Sequence, residues 1–249
     1  MQRVRVLGCR VDAIGRAEAV ARIIALARSR EPSLVVTLGT EMVVRARSDA
    51  DFRALVNASA LSLCDTIGVL FAARLEGARL SERVAGVDLI DPLCAAFARE
   101  EIAVYFVGAK GDTAARAARA LVERHPGLRV AGARDGFFTE ADDGDVADTI
   151  ARSGARVVFV GLGSPRQERW IAAHLGRAGC AVGIGVGGSF DVLAGNLERA
   201  PEIWRRFNVE WLYRLFKEPQ RWRRQLALPA FVLLAIRERL FARPTLEDS

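Results

Sequence analysis

Lysine and histidine are almost missing from this chain. Of 36 basic residues only Lys110 and Lys217 are lysines, and the two histidines are His125 and His174. A GC-rich genome produces the same arginine bias, so arginine abundance by itself assigns no ligand. With two histidines and no CxxC pair among Cys9, Cys64, Cys94 and Cys180, a Cys/His zinc site is not expected. The four cysteines are scattered and mostly flanked by apolar residues, which fits buried thiols in a reducing cytosol. Long apolar runs are missing too. The longest covers residues 226–236 and contains Pro229, which is too short to span a bilayer. The opening Met-Gln-Arg-Val-Arg-Val leads into a strand-like segment with no apolar signal core, so export is not expected.

What is present is core material and a lopsided charge. The 249 residues are 51% hydrophobic and 27% charged, which suits one large buried core and argues against global disorder. Residues 199–243 hold 11 Arg or Lys against 4 Asp or Glu, whereas the rest of the chain holds 25 against 26. The net charge of +6 therefore belongs to the C-terminal fifth, which disfavours a uniformly basic nucleic-acid binder.

Up to about residue 190, short β-like runs alternate with longer helical patterns. The spacing predicts strands at 4–7, 34–38, 60–63, 102–107, 129–131, 157–160 and 181–186. It predicts helices at 16–29, 41–47, 52–58, 68–75, 88–99, 113–124, 143–151 and 165–175. Such alternation indicates an α/β sandwich with a largely parallel sheet. Several strands are continuously apolar, as expected where helices cover both faces. From Pro201 the chain reads as helices rich in Arg, Trp and Phe, at 202–207, 210–217 and 220–241, with Pro229 a candidate break in the last. The expected division is an α/β core over 1–195 and a basic helical appendage over 196–249.

In open parallel sheets, ligands bind beyond the carboxyl ends of strands, where loops meet helix amino termini. The segments of that type are Val36–Glu41, Leu63–Gly68, Phe106–Gly111, Val160–Glu168 and the Gly-rich turn Gly185–Ser189. Each alone is weak. Gly108-x-x-Gly111 lacks a third glycine at dinucleotide-binding spacing, and Gly163 is not followed by a phosphate-loop lysine. Asp65 sits where a strand gives way to a helix. A carboxylate there serves either as an exposed general base or as a helix N-cap. Asp143-Gly144-Asp145 has the DxD form of a metal-binding pair, but in an acidic helix-opening stretch it reads as a solvated cap. Arg214, Arg221 and Arg224 are spaced 7 and 3 apart and on helical segments can share one face. Such a face is either a solvated basic one or one suited to a diphosphate, because guanidinium groups present forked donors.

Taken in order, several stretches carry a resemblance. They are Thr37 at its strand end, Cys64-Asp65-Thr66-Ile67-Gly68-Val69, Glu82 to Leu89, Gly161 to Glu168, Gly185 to Asp191, Gly195 with Arg199-Ala200-Pro201, and Glu210 to Pro219. With these the chain resembles the WecG/TagA/CpsF glycosyltransferase family over nearly its whole length. The resemblance implies a Rossmann-like core whose C-terminal appendage docks on the membrane and closes the active site. It implies an inverting transferase that needs no metal or other cofactor. Such enzymes move a hexose or N-acetylhexosamine-type sugar from a UDP-sugar to a polyprenyl-diphosphate-linked saccharide during cell-surface polysaccharide synthesis. By the same resemblance Asp65 is the catalytic base. Thr37, Arg83 and Gln167 match positions that orient acceptor or donor, and Arg214, Arg221 and Arg224 match those that meet the UDP diphosphate. Apart from the resemblance, the loop glycines Gly108, Gly163 and Gly187 stand at strand ends, where a bare backbone lets a phosphate or sugar approach closely. The implied partners are the UDP-sugar, the lipid-linked acceptor and an anionic membrane surface, with no nucleic acid. The implied location is the inner face of the cell membrane, as a peripheral monomer open to self-association. Two positions depart from the family pattern, Gly39 where asparagine is usual and Thr66 where glycine is usual. A catalytically degenerate, membrane-bound UDP-sugar-binding scaffold is the alternative those departures favour.

Overall fold

The computed structural model describes residues 1–80, 82–198, 201, 204 and 227–241. The chain opens with an antiparallel hairpin, β1 (Arg3–Val6) and β2 (Cys9–Asp12), with Val6 opposite Cys9. The two turn residues both have positive φ, 49° at Leu7 and 83° at Gly8, as a twisted two-residue hairpin requires. The sequence reading placed no strand at 9–12, because Leu-Gly lacks the usual Asn-Gly turn signal. Asp12 is fully buried and pins the hairpin down. Its Oδ2 accepts the Ser62 N–H at 2.8 Å and lies 3.2 Å from Arg10 Nη2, while Oδ1 lies 3.3 Å from Arg3 Nε.

The body is a six-stranded sheet, parallel at every pairing, as the alternation predicts. Its strands are β3 (Ser33–Leu38), β4 (Leu61–Cys64), β5 (Val104–Gly108), β6 (Val130–Arg134), β7 (Val157–Gly161) and β8 (Val182–Gly185), in the order β4-β3-β8-β7-β5-β6. The helices of the body are α1 (Arg16–Arg28), α2 (Thr40–Ala46), α3 (Ala50–Ala58), α4 (Ile67–Leu75), α5 (Gly86–Arg99), α6 (Thr113–Arg124), α7 (Asp143–Ser153), α8 (Arg166–His174) and the short α9 (Ser189–Leu193). Apolar strand residues alternate between the two faces of the sheet. Val35, Leu63, Phe106, Phe159 and Ile184 join the core of α1, α5, α6 and α9. Val36 and Leu38 face α2, α3 and α4, and Val107, Val158 and Val160 face α7 and α8. Both faces are covered, which makes a Rossmann-like layering of helix, sheet and helix.

α9 is absent from the sequence reading, since five residues after a glycine run carry too little periodicity to be seen. Helices 202–207 and 210–217 lie outside the described residues, apart from Trp204. The last helix, α10 (Ala227–Phe241), passes through Pro229 without a break. It packs on α2 and α4, and Phe231, fully buried, joins the same core as Val6, Leu7, Met42 and Leu70.

Candidate active site

Parallel register sets four strand ends side by side. Leu38 of β3 pairs with Cys64 of β4, Val35 of β3 with Ile184 of β8, and Val160 of β7 with Gly185 of β8. The chain beyond these ends supplies most of the candidates. Asp65 continues β4, and its N–H donates to the Leu38 carbonyl at 3.1 Å. Its Oδ1 accepts the Gly86 N–H at 2.7 Å. Gly86 is the first residue of α5, a 14-residue helix, so the carboxylate rests on that helix's amino terminus. Thr66 holds the cap position of α4, and the Asp65 carboxylate engages a second helix, whose first residue lies 21 positions on. A helix amino terminus attracts negative charge and leaves amides to be paired, so this is a favourable seat for a partly exposed carboxylate. Arg83 Nη1 donates to the Asp65 carbonyl at 3.4 Å, which brings a guanidinium beside the acid.

Thr37 and Gln167 converge on the end of β8. Thr37 Oγ1 donates to the Gly185 carbonyl at 2.8 Å. Gln167 Oε1 accepts the Gly187 N–H at 3.0 Å, and its Nε2 donates to Glu168 Oε1 at 2.6 Å. A Cβ on Gly185 would lie 2.7 Å from Gln167 Nε2 and 3.0 Å from Glu168 Oε1, so a side chain there would displace this pair. At Gly86 a Cβ would stand 3.5 Å from Thr37 Oγ1 and 3.6 Å from Ser189 Oγ, so Asp65, Thr37 and Ser189 meet around that residue. Thr37 and Gln167 are themselves buried, at 8% and 3% exposure, and act on the surroundings through backbone.

The two departures from the family pattern touch each other. Thr66 Oγ1 accepts the Thr40 N–H at 3.2 Å and shares a hydrogen bond with Thr40 Oγ1 at 2.9 Å. A Cβ on Gly39 would lie 3.5 Å from the Thr66 methyl. Thr66 thus ties the loop that carries Asp65 to the start of α2, over the space that Gly39 leaves open.

Other candidates fall differently. Gly108 (φ 132°) ends β5, and a Cβ there would lie 2.4 Å from the Gly161 carbonyl oxygen, so strand packing demands the glycine. Gly163 (φ 77°) is exposed in the loop before α8, with its carbonyl accepting the Gln167 N–H at 2.9 Å. Asp143 is buried at the start of α7, 3.7 Å from His174 Nε2 and 3.9 Å from Arg166 Nη2, rather than a solvated cap. Asp145 beside it is exposed. Burial pushes the Cys64 thiol, next to Asp65, up to about 12, which leaves it unsuited as a nucleophile. Arg214, Arg221 and Arg224 lie outside the described residues. The sequence reading gave no role to Gly86, Gly185, Ser189 or Glu168, although each stands inside a stretch that carried the resemblance.

Residues 4–245 match the model of the glycosyl transferase WecG/TagA/CpsF family. The chain is 37% identical over 213 residues to an N-acetylglucosaminyldiphosphoundecaprenol N-acetyl-beta-D-mannosaminyltransferase of Bacillus spizizenii, covering 85% of this chain and 82% of that protein. It is 36% identical over 206 residues to the protein of the same name from Bacillus subtilis, covering 83% and 80%.

Proposed function

The chain belongs to the WecG/TagA/CpsF glycosyltransferase family, and on that premise we propose an inverting, metal-independent transfer from a UDP-sugar to a polyprenyl-diphosphate-linked saccharide. The sugar moved is a hexose or N-acetylhexosamine type, and the relatives' names favour the latter. The observation that carries this reading is the seat of Asp65, a carboxylate held by Gly86 N–H at the carboxyl edge of the sheet, beside Arg83. Asp65 takes the proton from the acceptor hydroxyl as that oxygen attacks the anomeric carbon. The bond from that carbon to the UDP oxygen breaks on the opposite face, so the configuration inverts. Charge grows on the departing diphosphate, and Arg214, Arg221 and Arg224 are assigned to meet it. Thr37 and Gln167 brace the Gly185–Gly187 backbone against which substrate lies, and Arg83 orients it beside the base.

The same reading places the protein on the inner face of the cell membrane. No helix among the described residues is long and apolar enough to cross a membrane. Leu233 (69% exposed) and Ile236 (38%) stand outward on α10 beside Arg237, and Phe71 is exposed on α4. Apolar and cationic side chains side by side suit an anionic lipid surface.

Transfer to a short-chain prenyl-diphosphate sugar, assayed in excess EDTA, tests the reaction. The wild-type chain is expected to work without added metal, and Asp65→Asn to lower kcat by about 10²–10⁴-fold while still binding the UDP-sugar. Wild-type turnover in the mutant removes Asp65 as the base, and strict dependence on a divalent ion removes the metal-free mechanism.

A further inference from the structure

Glu168 is fully buried at the start of α8, and no ion pair reaches it among the described residues. Asp12, also fully buried, has Arg3, Arg10 and the Ser62 N–H. Glu168 Oε1 instead receives Gln167 Nε2, the Ser164 side chain and the Glu168 backbone N–H also act on the carboxyl, and Oε2 has no well-aligned hydrogen bond among the described residues. Charged groups do stand on neighbouring elements. Asp49 at the start of α3 pairs with Arg169, and Asp143 of α7 lies by Arg166 and His174, but none of these bonds Glu168. Folding alone gives little reason to bury a carboxyl this way, since an apolar side chain of similar volume would avoid the desolvation.

The hydrogen-bond logic assigns Glu168 a task. A backbone N–H only donates, so the Gly187 N–H must face the oxygen of the Gln167 amide. The amide nitrogen then points to Glu168, which must accept. A residue that could only donate at 168 would turn the Gln167 amide round and release Gly187. Gly185, with no Cβ, leaves the room in which this pair fits, and its carbonyl carries Thr37.

We propose that Glu168 is a positioning residue for sugar transfer: it fixes the Gln167 amide and, through it, the Gly187 turn at the end of β8. The proposal rests on this edge of the sheet being the transfer site. The ionised carboxylate is the stronger acceptor, so the turn tightens as Glu168 ionises. Burial raises its pKa, with Gln167 and Ser164 pulling the other way. The pH dependence of kcat therefore carries an acid limb that lies above the ordinary carboxylate range.

Three measurements on the full chain test this. Glu168→Ala is expected to speed backbone hydrogen exchange across 185–189 and to lower kcat by about tenfold or more, with a much smaller change in KM. Glu168→Gln, whose amide oxygen still accepts from Gln167 but is neutral at every pH, is expected to hold kcat above that of Glu168→Ala, at the level wild type reaches on the acid side of the limb, and to remove the limb. An acid limb unmoved in Glu168→Gln overturns the proposal, and this holds even if Glu168→Ala fails to fold. So does a kcat of Glu168→Ala equal to wild type. A wild-type chain that transfers no sugar overturns instead the reading of the site, and that is seen before any variant is made.

Discussion

Asp65 and Thr66 are neighbours in the chain with separate structural partners. Asp65 reaches forward to Gly86, and Thr66 reaches back to Thr40. The contact of Thr66 with the open space at Gly39 means the two positions answer each other. An asparagine at 39 would bring its Cβ into van der Waals contact with the Thr66 methyl, whereas glycine at 66 would remove that contact. Gly39→Asn alone is expected to lower kcat/KM, and adding Thr66→Gly to recover part of the loss. A double-mutant cycle on kcat/KM should give a coupling of about 0.5–3 kcal/mol, and additive effects would refute the pairing. Glu168 makes a second prediction, on stability. Its folded pKa is raised by burial above its unfolded value. The sign follows from linkage: its contribution to stability is fully present below the unfolded value and is lost as pH rises through the folded one. Urea unfolding of wild type and Glu168→Gln across that window should show the wild type losing ground as pH rises.

At the scale of elements, the described C-terminal helix is a structural part of the molecule. α10 lies on α2 and α4, and Phe231 fills the core that the hairpin β1–β2 also closes. α2 and α4 follow directly on the strand ends at which Thr37 and Asp65 stand, so packing of α10 bears on the walls of the site. Phe231→Ala is expected to cost about 3–5 kcal/mol in urea unfolding, the usual price of emptying a buried aromatic site. A loss under ~1 kcal/mol would mean that α10 rests only lightly on the core. The continuous apolar strands were legible because a two-sided sheet needs them. The hairpin was not, because its turn and its second strand each leave a weak local signal and Asp12 acts through Ser62, 50 residues away.

For the whole molecule, the basic excess and two of the exposed large apolar side chains fall in the same stretch of sequence, while Phe71 and Phe137 are exposed elsewhere. The C-terminal fifth holds the basic excess, and α10 turns Leu233 and Ile236 outward next to Arg237. Flotation with vesicles rich in anionic lipid should carry the full chain, and Leu233→Asp with Ile236→Asp should weaken that binding severalfold without loss of fold. Equal binding to neutral vesicles would point to apolar insertion alone, and no binding to either would remove the membrane assignment.

The order of the strands and helices apart from β2 and α9, the two-sided apolar sheet and the place of Asp65 at a strand end were determined by sequence. Each is written in local periodicity, and so was the resemblance, as runs of adjacent residues. Which groups face Asp65 was decided by tertiary structure alone. Thr37 meets the Gly185 carbonyl across 148 residues, and the Gly86 N–H meets Asp65 across 21. Parallel strands are joined by crossovers, so neighbours in the sheet come from remote parts of the chain. Glu168 shows the limit most clearly. In the sequence it is one acid in a polar helix start. Only the packing of α8 against glycine-bearing β8 makes it a buried acceptor for Gln167.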